Sequence, residues 1–369
     1  MKKTVRILAV LLVCILSVTI FIGCGSKKVD NSSLDLNSMS VSEIERKARE
    51  EGEIASVGMP DDWANWKDTW EQITEIYGLR HSDVDMSSAE ELALFEAEKN
   101  APTKDIGDVG ISFGPLAKSR GLTLPYKTTY WDEIPAWAKD DEGHWLLAYT
   151  GTISIMSNLD LVDKAPRSFQ DILDGDYMVT MGDAGRATQS QCALLSAAFA
   201  FGGDETNIDP GLQFFRTLAE AGRIDIGENS IARLEKGEIA VSFYWDFNSL
   251  GYRSTFVENN PNANFAIHIP SDGAVMSGYT TIINAYAPRP HAAALAREYI
   301  LSDQGQINLA VGFARPIRTS VDFPDDVKAK MLPNDEYLNT SPIRDQSAWE
   351  ATVETMSQRW QDEVLAHVK

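Results

Sequence analysis

Sulfur, histidine and long apolar runs are all scarce in this chain. Of three cysteines among 369 residues, Cys14 sits in an apolar N-terminal run, Cys24 closes that run, and only Cys192 belongs to the body of the chain. A disulfide within the body and a cysteine-based metal site are thereby excluded, and Cys192, in Cys192-Ala193-Leu194-Leu195, reads as a small buried filler. The five histidines, His81, His144, His268, His291 and His367, are scattered. No H-E-x-x-H and no carboxylate loop at calcium-binding spacing occurs, so no metal site is expected. A G-x-x-x-x-G-K-[ST] loop and a G-x-G-x-x-G turn are missing too, which removes the main nucleotide signatures. No cofactor is expected.

Positive charge is in short supply as well. Against 54 Asp and Glu stand 33 Lys and Arg, giving −21, and loss of Lys2, Lys3 and Arg6 with a cleaved leader takes this to −24. Such a surface repels phosphate backbones and anionic headgroups, so nucleic acid is not an expected partner. One pocket can still carry a field of the opposite sign. With 44% hydrophobic and 24% charged residues the chain is neither disordered nor polytopic, and its length suits about two globular units.

What is present begins with an address. Lys2, Lys3 and Arg6 precede an apolar run from Ile7 to Ile22, short of the roughly 20 residues of a spanning helix, so residues 1–23 read as a secretory leader. Phe21-Ile22-Gly23-Cys24 resembles a bacterial lipobox, which implies that Cys24 is acylated and becomes the new N-terminus. Residues 24–42 carry six Ser and few apolar side chains and read as a flexible tether, with a reach of about 25 Å. The expected location is the extracytoplasmic face of the cell membrane, held by lipid alone.

Beyond the tether, Ser42 with Glu45 forms a capping-box pattern for a short helix that Gly52 stops. Strands are expected at Glu53 to Val57, Arg80 to Met86 and Asp105 to Ile111, with helices at Trp63 to Tyr77 and from Ser87 and Ser88 to Lys99. The alternation implies a parallel sheet covered by helices. It restarts after the apolar, β-rich stretch Leu146 to Asn158: strand Tyr177 to Met181, helix Thr188 to Phe201, helix Pro210 to Ala221 capped by Asp209, and strand Ile239 to Tyr244. Phe265 to Pro270 and Tyr279 to Asn284 read as strands leading back. His291 to Ser302, Gln304 to Val311 and Ser347 to Lys369 read as helices without strands between them, covering the first lobe's sheet. The chain then crosses between lobes twice, which makes a hinge and a cleft. The boundaries are lobe 1 at 43–150 and 278–369, lobe 2 at 158–266, and crossings at 151–157 and 267–277.

Gly110-Ile111-Ser112-Phe113-Gly114 matches the G-x-S-x-G nucleophile elbow after an expected strand, and keeps open a lipid-anchored serine hydrolase of α/β type using Ser112 with a later acid and His268 or His291. More informative are the turns at strand carboxyl ends, where open α/β sheets bind ligands. Asp61, Asp62 and Trp63 lie in one, with Trp66 and Trp70 at helical spacing behind them; Asp108 to Phe113 forms another, and Tyr149-Thr150-Gly151-Thr152 a third. Gly182 to Gln189 supplies Gly185 for close backbone approach, Arg186 as a fork of donors, and Thr188 and Ser190 at a helix start, a fit for phosphonate, phosphate or carboxylate. A plain turn with Thr188 as N-cap explains the same residues. Tyr244-Trp245-Asp246-Phe247-Asn248 sets aromatic faces beside a carboxylate, which suits an ammonium group, unless Asp246 only caps the next helix.

Taken in order, these features resemble a solute-binding lipoprotein of a bacterial ABC importer, of the type II periplasmic-binding fold. Tyr149-Thr150-Gly151-Thr152-Ile153 before Asn158 resembles the first hinge crossing of the group that takes up polyamines, ferric iron, aminoalkylphosphonates and sugar phosphates. Gly312-Phe313-Ala314-Arg315-Pro316-Ile317-Arg318 resembles that group's late G-[YF]-x-P-[IV]-R turn. The resemblance implies an α/β, two-lobed protein with mixed sheets flanked by helices and two hinge crossings. It further implies a monomer, not an enzyme, that captures a small charged or zwitterionic solute for a permease. Iron-binding members use two adjacent tyrosines where this chain has Tyr244-Trp245, while polyamine binders pair Trp with Asp as Trp245 and Asp246 do. An aminophosphonate-like solute is the first expectation and a polyamine the second. The expected ligand-binding set is Asp61, Asp62, Trp63, Tyr149, Thr150, Gly185, Arg186, Thr188, Trp245, Asp246, Asn248 and Tyr279.

Overall fold

The computed structural model describes residue 31, residues 33–185 and residues 187–369. The leader, Cys24, the first part of the tether and Arg186 lie outside the described residues.

Among the described residues eleven strands form one curled sheet: β1 (Glu53–Val57), β2 (Arg80–Ser82), β3 (Ile106–Gly110), β4 (Trp145–Asn158), β5 (Val179–Thr180), β6 (Ile224–Asp225), β7 (Val241–Trp245), β8 (Phe265–His268), β9 (Ala274–Ile283), β10 (Arg315–Pro316) and β11 (Thr340–Pro342). Their main order is β2-β1-β3-β9-β4-β7-β5-β6. Parallel pairs β1 with β2 and β3, and β5 with β6 and β7, form the hearts of the two lobes, as the alternating pattern implies. The crossing strands run antiparallel to them.

Strand β4 joins the lobes. Its first part, Trp145 to Thr152, pairs with β9, and its second, from Ile153, pairs with β7 and β8. Every residue after Trp145 is buried, which suits its Ile- and Thr-rich run. Gly151 is required at the junction: a Cβ there would come within 2.6 Å of the Phe247 ring.

The tether is shorter than expected, because Leu36 is fully buried and the Asn31 amide donates to the carbonyls of Ala285 and Ala287. The first helix (Val41–Glu51) uses Ser40 and Glu43 for its capping box rather than Ser42 and Glu45, since it starts one residue after Ser40. Asp209 is the first residue of the helix Asp209–Glu220, with Ile208 as its N-cap.

A larger difference concerns the end of the chain. The helices Pro290–Ile300 and Asp303–Val311 do pack in the first lobe, but β10 and β11 interrupt the expected all-helical stretch. The helix Gln346–Glu363 packs on the second lobe, not the first. Trp360 sets its ring edge-on to Phe215 at 5.4 Å, Arg359 pairs with Asp209 at 2.7 Å, and Glu205 accepts the N–H of Arg344 and Asp345 ahead of the helix. Its amphipathic pattern shows that one face must be covered but not by which lobe.

Candidate functional site

Both lobes turn the carboxyl ends of their parallel strands toward a shared cleft. An inner cavity of about 470 Å³ is lined from the first lobe by Trp63, Asp85, Glu91, Asp108, Phe113 and Tyr279, among others, and from the second by Thr188, Gln189, Asn229, Tyr244, Asn248 and Tyr252. An outer cavity of about 400 Å³ shares Asn248 and Tyr252 with it and continues past Asp61, Asp62 and Phe313. Together they run as one trough between the lobes.

The turn after β1 is built to deliver Trp63. Gly58 (φ 72°) reverses the chain, and the Met59 N–H donates to Asp83 at 3.2 Å. Ala64, Asn65 and Phe313 are the non-glycine residues with positive φ among those described, and all three line the outer cavity. Backbone strain of that kind persists only where the surroundings over-determine it, and it clusters at ligand sites.

Trp63 donates from its indole to the Tyr149 hydroxyl (2.7 Å), which donates in turn to Asp108 (2.7 Å). Its ring stands edge-on to Phe247 and Tyr279, while Tyr149 stacks on Tyr279 at 5.6 Å. Trp245 is buried. Its N–H donates to Gln189 and its indole to the Tyr279 hydroxyl, so it backs the site from beneath.

Acid dominates the lining. Asp85, Glu90, Glu91 and Asp108 border the inner cavity and Asp61 and Asp62 the outer one, whereas among the described residues no Lys, Arg or His lines either. Burial, then the nearby charge of Asp108, holds Glu91 well above the ordinary carboxylate range. Burial does the same to Asp108 against the opposing hydrogen bond from Tyr149. Asp85 is raised by burial and by Asp83, Asp62 and Glu90.

Of the residues expected here, Asp61, Asp62, Trp63, Thr188, Asn248 and Tyr279 do line the trough. Tyr149 lies one layer below it, joined to Trp63 and Asp108. Thr150 belongs to the crossing, paired with Arg315. Of the expected anion cradle, Gly185 turns toward Ser357 and Ser190 donates to the Met181 carbonyl, while Arg186 is outside the described residues. Thr188 is the first residue of its helix and Ala187 the N-cap. Asp246 is 1% exposed and saturated, accepting from the Thr152 and Phe247 N–H groups and the Tyr337 hydroxyl, so it braces the hinge and does not meet a solute.

Sequence reasoning missed Asp85, Glu91, Asn229 and Tyr252 as site residues. A signal for Glu91 was there: with Leu92 and Phe95 it shares the buried face of the helix Ser88–Ala97, while Glu90 serves the capping box with Ser87.

Ser112 is no nucleophile. It has ordinary right-handed helical geometry ahead of a seven-residue helix rather than a strained elbow, and the described histidines bond elsewhere: His81 to Ser56, His144 to Thr123, His268 to Glu336 and His291 to Glu51. Asp140, Glu142 and His144 converge as metal ligands would, but Lys118 already bridges the two carboxylates at 2.7 and 2.6 Å.

A family model described as bacterial extracellular solute-binding protein matches residues 101–341. No curated protein matches the chain. Among solved structures, the fold resembles the periplasmic binding protein AfuA from Actinobacillus pleuropneumoniae with fructose-6-phosphate bound (TM-score 0.68, 16% identity, 85% of this chain and 98% of that one). It also resembles the ferric binding protein from Campylobacter jejuni (0.65, 17%, 84% and 99%). A third is the spermidine/putrescine ABC transporter substrate-binding protein PotD from Streptococcus pneumoniae (0.64, 13%, 84% and 98%). At these identities the likeness extends to the fold.

Proposed function

Since the chain belongs to the bacterial extracellular solute-binding proteins, binders and not enzymes that serve ABC importers, we propose that its solute is a small organic amine held in the acidic trough. The observation that carries this reading is the sign of the lining. Six carboxyl groups and no described basic residue surround two connected cavities walled by Trp63, Tyr244, Tyr252 and Tyr279. Aromatic faces and carboxylates together favour an ammonium group through cation–π and charge attraction.

Acid in both cavities, Asp85 and Glu90 in one and Asp61 and Asp62 in the other, supports a polyamine ahead of an aminophosphonate-like zwitterion. The second reading keeps one observation in its favour: Thr188 brings the first turn of the helix Thr188–Ala200 to the inner cavity, where free N–H groups suit an anion. Capture works by closure of the lobes about the crossings at 151–157 and 267–277, driven by higher affinity of the shut state. The protein acts as a monomer anchored through an acylated Cys24, and hands its solute to the permease unchanged. Among the described residues no helix is long and apolar enough to cross a membrane.

A thermal-shift panel tests the solute. Putrescine, spermidine, 2-aminoethylphosphonate, ferric ion and sugar phosphates are compared, a tight ligand raising the melting temperature by mass action. The amines are expected to stabilise. Stabilisation by a sugar phosphate or ferric ion, with no response to any amine, would overturn the reading.

A further inference from the structure

The helix Asp303–Val311 closes with the two bonds of a Schellman turn: the Phe313 N–H donates to the Ala310 carbonyl at 2.9 Å and the Ala314 N–H to the Leu309 carbonyl at 3.0 Å. The left-handed residue of such a turn is usually glycine, because a Cβ is crowded there. Here it is Phe313, with φ 66°. The neighbouring glycine serves a different need. A Cβ on Gly312 would lie 2.4 Å from the Ala64 carbonyl carbon and 2.6 Å from the Asn65 nitrogen, in the turn after β1. Ala64 and Asn65 are left-handed as well (φ 49° and 58°), and the Asn65 amide donates to the Asn308 carbonyl at 3.1 Å. The two strained turns are thus locked together as one unit of the first lobe.

A glycine at 313 would relieve the turn, so the ring is held there by what it touches. Half-buried Phe313 lines the outer cavity and packs against an apolar cluster of the second lobe that includes Leu250 and Phe256. Its Cδ2 lies 3.9 Å from the point a Cβ would occupy on Gly251, in the helix Asp246–Asn259, whose Ser254 and Thr255 line the same cavity. Glycine is disfavoured inside a helix, and here it leaves room for the ring. Two residues beyond Phe313, Arg315 pairs with Thr150 of the crossing strand and lies over Tyr337, which fixes the far end of the turn at the hinge.

We infer that Phe313 is a positioning residue for capture: its ring latches the two lobes together before any solute arrives, and the left-handed turn holds it rigidly in place to do so. Opening the cleft draws the helix Asp246–Asn259 away and returns the ring to water, so the shut form has an apolar contact that the open form lacks. No carboxyl group of the trough takes part, and the latch works whichever solute is bound. Its consequence is tighter apparent binding, because the shut state is populated in advance.

Pulsed dipolar EPR between spin labels at Lys67→Cys and Glu258→Cys, exposed positions on opposite lobes, measures lobe separation in the solute-free protein; Cys24→Ser and the burial of Cys192 keep labelling to these two sites. A shut population is expected in the native protein. Phe313→Asn and Phe313→Gly both suit the left-handed turn and lack the ring, so each should keep the fold, checked by its melting temperature, yet lower the ratio of shut to open protein about threefold to tenfold. Phe313→Tyr should restore the native ratio. An unchanged shut population in the Asn and Gly variants would overturn the latch, as would a native protein wholly open before solute is added. Closure on adding spermidine tests the amine reading separately, because the solute-free populations alone decide the latch.

Discussion

Tyr337 donates its hydroxyl hydrogen to the buried Asp246 carboxylate at 2.5 Å, tying a late loop to the helix that follows β7. The other oxygen of Asp246 holds the Thr152 N–H at the junction of β4, and the Arg315 guanidinium lies over the Tyr337 ring at 3.6 Å. Tyr337→Phe strands one lone pair of a buried charge, and a loss of about 1–3 kcal/mol of stability is expected. Asp246→Asn is expected to lower the melting temperature while leaving spermidine affinity within about twofold, since Asp246 braces the hinge. A large loss of affinity with unchanged melting would restore Asp246 as a ligand contact.

The acidic trough makes a prediction about salt. Asp62 of the outer cavity and Asp85 of the inner one are both exposed, so their attraction for an amine is screened. Asp62→Asn and Asp85→Asn are each expected to weaken spermidine binding about threefold to tenfold at low ionic strength, and to flatten its dependence on salt. Calorimetry across a sodium chloride series measures both. Unchanged or tighter binding in these variants would show that the outer acid merely solubilises the protein.

Trp63 is the aromatic residue best placed to register a bound cation, with its ring in the inner cavity and its N–H on Tyr149. Trp63→Ala is expected to cost about tenfold in amine affinity, and Trp63→Phe less, because a ring face survives although the hydrogen bond does not. A tryptophan fluorescence change on adding spermidine should be much reduced in both variants. Equal affinity in all three proteins would place the amine elsewhere.

How far the sequence reached follows from the kind of signal each feature leaves. Alternating strand and helix patterns announced two parallel-sheet lobes, and Tyr149-Thr150-Gly151-Thr152 stood out through its resemblance to a hinge crossing, whereas the contact that requires Gly151, with the Phe247 ring, is visible only in the structure. Trp63 stood out in a strand-end turn. Asp246 misled, because aromatic neighbours beside an acid look alike whether the acid faces a ligand or a backbone N–H. Glu91 escaped notice because local pattern gives a helical glutamate to solvent by default. Its place on the Leu92 and Phe95 face was the one hint, and the close approach of Gly58 and Gly107 shows that it turns inward. The final helix was legible as a helix, but its docking on Phe215 and Asp209 depends on contacts far apart in sequence.

Cys192 offers a simple check on core packing. It is fully buried, and burial alone pushes its thiol up to about 12. In the native protein the Cys192 peptide is expected to escape alkylation by iodoacetamide at pH 8, and to react fully in denaturant. Rapid native labelling at that peptide would mean that the helix Thr188–Ala200 opens far more readily than its packing implies.

His81 stacks on Trp70 at 4.0 Å and shares a 2.8 Å hydrogen bond with Ser56, whose hydroxyl bonds Asp83 as well. Burial, helped by the charge of Lys104, brings its pKa down from 6.5 to about 4. The folded state therefore prefers the neutral ring. Above pH 6.5 neither state is protonated and the full contribution is present; between 6.5 and about 4 only the unfolded chain gains a proton, and stability falls by about 1.4 kcal/mol per pH unit. His81→Gln cannot titrate. At pH 7.5 the variant should be the less stable protein, having lost the ring stack on Trp70, but its deficit should shrink steadily as pH drops toward 4.5. Urea unfolding of both proteins across that range measures the gap. A deficit that stays constant with pH would mean that His81 takes up its proton as easily in the fold as out of it, and that the Trp70 stack does not exclude water from the ring.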